Sequence, residues 1–192
     1  MDLEQQNQLL RLARETILAR LNRQPLPLLP EGAIGPEEFG GAFVSLHKAG
    51  RLRGCIGRFN PAAGVAKTVQ EMALAAMKDP RFCSMPISHE ELPEIDIEIS
   101  VLSPMERTDT PLSLRLGIDG VYIRCGIRNG CFLPQVATEQ GWGKEEFLSR
   151  CCSGKAGLSA DAWKSPETEV YLFSAEVFGE KARTHPHGRP AS

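Results

Sequence analysis

Three prolines within six residues, Pro25-Leu26-Pro27-Leu28-Leu29-Pro30, constrain this chain more than any other feature. Each lacks a backbone N–H and fixes φ, so the segment is neither helix nor central strand and reads as an extended connector. It ends whatever precedes it. From Asp2 to about Asn22, Leu3, Leu10, Ile17 and Leu21 recur on one helical stripe, reinforced by Leu9, Ala13 and Leu18, while Glu4, Gln8, Arg11 and Glu15 face elsewhere. That spacing predicts an amphipathic helix over residues 2–22, packed on the body that follows.

Beyond the connector the period changes. Residues 42–47 and 51–57 read as strands about a tight turn at Lys48-Ala49-Gly50, a hairpin spanning 42–57. Pro61 opens a second helix to about Lys78, stopped by Asp79-Pro80, with Val65, Val69, Met72, Ala73, Ala76 and Met77 at helical spacing. Met72, Met77 and Met85 read as core filler rather than metal ligands. Ser88-His89-Glu90-Glu91 has capping-box spacing for a short helix. Ile95, Ile97, Ile99 and Val101 alternate with Asp96, Glu98 and Ser100, which predicts a strand with one wet face. Arg128-Asn129-Gly130 predicts a second hairpin between residues 121–123 and 131–133, because Asn-Gly favours two-residue turns. Helical turns from about Pro134 to Cys152 and a last strand over 169–178 complete one domain, residues 1–180. Residues 181–192 read as a flexible tail, with His185 and His187 solvated.

Composition sets the class. With 192 residues, 42% apolar and 24% charged, the chain can bury one ordinary core. Twenty-four acidic against 22 basic residues leave a formal charge of −2, which opposes a nucleic-acid role or an anionic membrane surface. No apolar run approaches the roughly 20 residues that span a bilayer, and the polar start lacks a signal peptide's pattern, so the expected location is the cytoplasm. The six cysteines (Cys55, Cys83, Cys125, Cys131, Cys151 and Cys152) then read as reduced thiols. Without a C-x-x-C pair or clustered histidines, neither a metal nor another cofactor is implied.

Arg51-Leu52-Arg53-Gly54-Cys55-Ile56-Gly57 resembles the signature of the AMMECR family. Asp79-Pro80-Arg81-Phe82, the strand from Ile95 with Leu102-Ser103-Pro104, Phe132-Leu133-Pro134-Gln135-Val136 and Lys155-Ala156-Gly157-Leu158 follow in the family order, covering roughly residues 5–180. The resemblance implies an α+β fold of two lobes, with a curved, mainly antiparallel, barrel-like sheet flanked by helices. In bacteria it implies the AmmeMemoRadiSam system, with a Memo-like protein and a radical S-adenosylmethionine enzyme as partners. It carries no reaction with it, and no role for Cys131.

Within the signature, strand alternation puts Arg53 and Cys55 on one face. A guanidinium beside a thiol favours thiolate, and Gly54 and Gly57 leave the backbone open to a ligand. Cys55 and Arg53 are therefore the candidate catalytic pair; the competing reading is a small buried cysteine with packing glycines. His47 makes no dyad with Cys55. A two-residue Ala49-Gly50 turn sets Val44 opposite Cys55, and a three-residue turn sets Phe43 there, with His47 roughly 13 Å away along the strand. Arg81 and Lys155 are candidate ligand cations beside Arg53, with Gln135 as a candidate polar contact; the competing readings are an Arg81 paired with Asp79 or a glutamate and a Lys155 that satisfies carbonyls at a helix C-terminus. Cys125 and Cys131 reach each other only across a five-residue loop; the Asn-Gly turn leaves two free thiols. Adjacent helical positions lie about 100° apart, so Cys151 and Cys152 are expected to divide between buried and exposed. Two functions fit: a thiol-dependent enzyme or enzyme subunit, or a non-catalytic binding or regulatory module that docks protein partners, with the signature motif structural.

Overall fold

The computed structural model describes residues 1–30, 39–59, 63–82 and 86–181. The readings at Pro61, Cys83, Met85, His185 and His187 lie outside the described residues. Helix α1 (Leu3–Leu21) is closed at its start by a capping box in which Asp2 accepts from the Gln5 N–H and Gln5 returns the bond. It buries Leu9, Leu10, Ala13 and Ile17 as its pattern requires, but Leu3 and Leu18 are exposed. The buried stripe instead takes in Leu12 and Thr16. The connector is neither helix nor strand and is tied down where Gln70 Nε2 donates to the Pro27 carbonyl at 2.9 Å.

Strands β1 (Gly41–Lys48) and β2 (Arg51–Phe59) form the first hairpin, followed by α2 (Val65–Ala76), β3 (Ile95–Leu102) and the short β4 (Glu106–Thr108). The second half holds β5 (Asp119–Cys125), β6 (Arg128–Phe132), α3 (Pro134–Gln140), α4 (Lys144–Cys151) and β7 (Glu169–Gly179). All strand pairings are antiparallel, in the order β2-β1-β3-β7-β5-β6, with β4 also on β7. β7 joins the halves: residues 175–179 pair with β3, and residues 169–174 pair with β5.

One face of this sheet carries every helix. Ala42, Val44, Leu46, Ile97 and Ile99 pack with α1 and α2, while Val121, Ile123 and Val170 pack with α3 and α4. These are the two lobes. The opposite face curls in on itself. Phe59 on β2 and Tyr122 on β5 are four strands apart, which in a flat sheet is about 19 Å, yet their ring centroids lie 5.3 Å apart. The sheet is a half-barrel with helices outside, the curved α+β architecture expected from the signature.

This curl overturns the wet face. Ser45, Glu98 and Ser100 lie on the inner face and are buried, while Asp96, near the start of the strand, stays partly exposed and pairs with Lys181 at 2.7 Å. Alternation with polar residues usually marks solvent; here it marks the interior of a curved sheet. The second hairpin also differs. Cys125 pairs with Arg128, so its turn is Gly126-Ile127, with Gly126 at φ 58°. Asn129 and Gly130 are inside β6, where a Cβ on Gly130 would fall 2.5 Å from the Ala156 nitrogen. Close packing, not a turn, requires that glycine. Cys125 and Cys131 are free thiols, as are Cys55, Cys151 and Cys152. Cys151 and Cys152 are both fully buried, against the expected division. The helix passes at Cys152 into a π-helical turn (Cys152–Ala156), and both thiols join the second core.

Candidate functional site

The β1–β2 turn is Ala49-Gly50, with φ 48° and 75°, the type I′ geometry that suits strand twist. The register beyond it matches neither expected alternative. His47 pairs with Leu52 but Leu46 pairs with Gly54, so Arg53 is the extra residue of a bulge. Cys55 therefore faces Ser45 rather than Val44 or Phe43, and the Ser45 hydroxyl donates to Sγ at 3.2 Å. Arg53 turns to Glu91: Nε and Nη2 donate to its two carboxylate oxygens at 2.9 and 3.1 Å. Lys48 adds a weaker approach to Glu91 at 3.7 Å.

The cation beside Cys55 is Arg81. Cys55 lies on an edge strand, and its outward backbone groups are held by the loop after α2: Asp79 Oδ2 accepts the Cys55 N–H at 3.0 Å, and Arg81 donates to the Cys55 carbonyl. Arg81 also donates to Asp79 through Nε at 3.0 Å and through Nη2 at 2.7 Å. Asp79 is fully buried, while Arg81 keeps 57% of its side chain exposed. The Arg81 bond holds the Asp79 carboxyl at about 2, despite burial. Gly54 completes the joint, since a Cβ there would meet the Ala76 carbonyl oxygen at 2.2 Å.

Burial pushes the half-buried Cys55 thiol up from its ordinary value; the Ser45 bond and Arg81 oppose this, and Asp79 and Glu98 reinforce it. Around it, the inner face carries a cross-strand row, Cys55 on β2, Ser45 on β1 and Glu98 on β3. His47 Nε2 lies 3.8 Å from Glu98 Oε1 and, among the described residues, makes no hydrogen bond. Phe43, Phe59, Tyr122, Tyr171 and Phe173 line the same face in a chain of edge-to-face contacts, with Phe59 tilted against Tyr122. Gly57 lies under the Phe43 ring, where a Cβ would be 2.1 Å from its nearest carbon. Cys131, on the far edge of the curl, is pushed up to about 11 by burial, lowered by Lys155 and raised by Cys55.

Arg81 thus joins Cys55, whereas Arg53 is engaged with Glu91. Lys155 is exposed beside Cys131, with Nζ 5.4 Å from the centre of the Phe132 ring. Gln135 sits in the first turn of α3 in the second lobe. The pairing of Arg81 with Asp79 is the alternative role that the sequence offers for Arg81. The hold of both residues on the Cys55 backbone and the Ser45 contact have no local signal. Among the described residues no cluster of three or more His, Cys, Asp or Glu side chains could hold a metal, and no helix is long and apolar enough to cross a membrane.

A profile of the AMMECR1 family matches residues 10–178. The chain belongs to the AMMECR1 family. Its relatives include a protein of Methanothermobacter thermautotrophicus, 47% identical over 147 residues, 73% of this chain and 75% of that one. Another, from Thermococcus kodakarensis, is 39% identical over 187 residues, 90% and 89% of the two chains. The crystal structure of an uncharacterized protein from Pyrococcus horikoshii has a TM-score of 0.79 at 36% identity and covers 90% of each chain. The AMMECR1 match begins in α1 and ends in β7, so it takes in both lobes and the whole curl.

Proposed function

We propose that this AMMECR1-family chain is a binding module rather than a thiolate enzyme. Its inner face receives a ligand or partner segment with Cys55 as a neutral thiol, and its signature segment is the strut that shapes that face. The supporting observation is how Cys55 is held. A nucleophilic cysteine needs a positive group free to stabilise thiolate. Arg81 is instead bound to Asp79, Arg53 to Glu91, and burial raises the thiol. Gly54 and Gly57 are accounted for by the Ala76 carbonyl and the Phe43 ring, which gives the signature a packing role.

Lys155, which is exposed, is the cation this module offers to an anionic group, and Gln135 is the polar group offered by the second lobe. The partners are those the family resemblance implies, a Memo-like protein and a radical S-adenosylmethionine enzyme, met in the cytoplasm. The formal charge of −2 argues against nucleic acid. One contact favours the thiol-enzyme reading instead: the Ser45 hydrogen bond pulls the Cys55 pKa down.

Alkylation of Cys55 followed against pH, site by site in a mass spectrometer, separates the two. A binding module gives a midpoint above the ordinary 9.0, and Cys55→Ser still captures the radical enzyme from a mixture of purified partners. A midpoint below that value, together with loss of cellular function in Cys55→Ser, establishes the enzyme instead.

A further inference from the structure

The end of α1 departs from a local rule. Gln24 N–H donates to the Ala19 carbonyl at 2.9 Å and Arg23 N–H to that of Arg20 at 3.3 Å. This pair of reversed bonds puts the first residue past the cap in the left-handed region, a position that normally belongs to glycine. Here it is Arg23, at φ 55°. A Cβ in that conformation costs stability that glycine avoids. Nothing within the fold compensates, because the Arg23 side chain is exposed and, among the described residues, makes no hydrogen bond or ion pair. A local rule broken without a structural return points to a functional constraint.

Arg23 lines a cleft of about 710 Å³ between the C-terminal ends of α1 and α2, remote from the inner face of the sheet. Arg20 and Lys78 line it too; among the described residues neither makes an ion pair and no acidic side chain borders the cleft. Leu74, Met77 and Ile87 supply an apolar wall. Helix C-termini attract basic residues, which explains Arg20 and Lys78 but not an arginine in a glycine position.

We infer that this cleft binds a small amphiphilic anion, a phosphomonoester carried on a short apolar body. Guanidinium forks match phosphate oxygens, and three uncompensated cations suit a dianionic head. The apolar wall takes the body of the ligand out of water. The volume falls within the roughly 300–1,000 Å³ usual for small-molecule sites. In a chain of net charge −2, this positive field is local to one face.

The test is calorimetric titration of the full chain with hexyl phosphate, inorganic phosphate and hexanol. Hexyl phosphate is expected to bind, and each of the other two to bind about tenfold more weakly or worse. Arg23→Gly is the decisive variant. It should melt roughly 2–4 °C higher, because glycine fits the helix end, while binding hexyl phosphate about tenfold more weakly. Arg20→Gln and Lys78→Gln should weaken it as well. The inference is overturned if hexyl phosphate does not bind, if Arg23→Gly binds it as the parent does, or if hexanol alone accounts for the affinity. It is also overturned if vesicles containing phosphatidic acid bind and hexyl phosphate does not.

Discussion

Replacing Asp79 by asparagine removes the charge that ties the signature strand to the loop after α2, while keeping an oxygen for the Cys55 N–H. The carboxyl is held at about 2 against an ordinary 3.8, chiefly by the Arg81 hydrogen bond. At about 1.4 kcal/mol per pKa unit, that difference corresponds to roughly 2 kcal/mol of folding stability. Asp79 is fully buried, so solvent does not screen its side of the pair. Asp79→Asn should therefore lower stability near neutral pH by about 2 kcal/mol, or roughly 4–8 °C in Tm for a chain of this length. The sign with pH follows from the depressed value. The contribution is complete above the unfolded pKa of 3.8 and disappears as pH falls through about 2. Urea unfolding of both proteins near neutrality and near pH 2 should show a gap that closes in acid. Equal stability near neutrality, or a gap of the same size at both pH values, would refute the claim that this ion pair anchors β2.

Two further substitutions examine the same hairpin. Gly54→Ala puts a methyl group 2.2 Å from the Ala76 carbonyl oxygen, and separating β2 from α2 should cost about 3 kcal/mol in thermal unfolding; an unchanged Tm would show that the joint is loose. Ala49→Asn places a residue tolerant of positive φ in the type I′ turn, where alanine is strained at φ 48°, and should raise stability by about 1 kcal/mol. A fall in Tm would mean that the turn has another geometry.

The first helix and the strand from Ile95 were legible because each needs only a local period. α1 and β3 lie where the spacing of Leu9, Ala13 and Ile17 and of Ile95, Ile97 and Ile99 puts them. Register was not legible, because one inserted residue at Arg53 changes what Cys55 faces, and no local rule marks it. The paired candidates Arg53 and Cys55 parted for that reason. Arg81 acts on Cys55 through a contact 26 residues apart in the chain, which no strand alternation can reveal.

Taken alone, the residues determined the amphipathic first helix, the proline connector, the first antiparallel hairpin and membership of a family marked by Arg51 to Gly57. Each depends on backbone chemistry or on spacing within a few residues. The tertiary structure decided which polar side chains are buried, which guanidinium meets the thiol, and why Gly130 is in a strand rather than a turn. The physical reason is curvature: bending one sheet until Phe59 meets Tyr122 turns a face patterned for water into an interior. On the outer face, the packed π-helical turn places the Ala156 backbone where a Cβ on residue 130 would otherwise be.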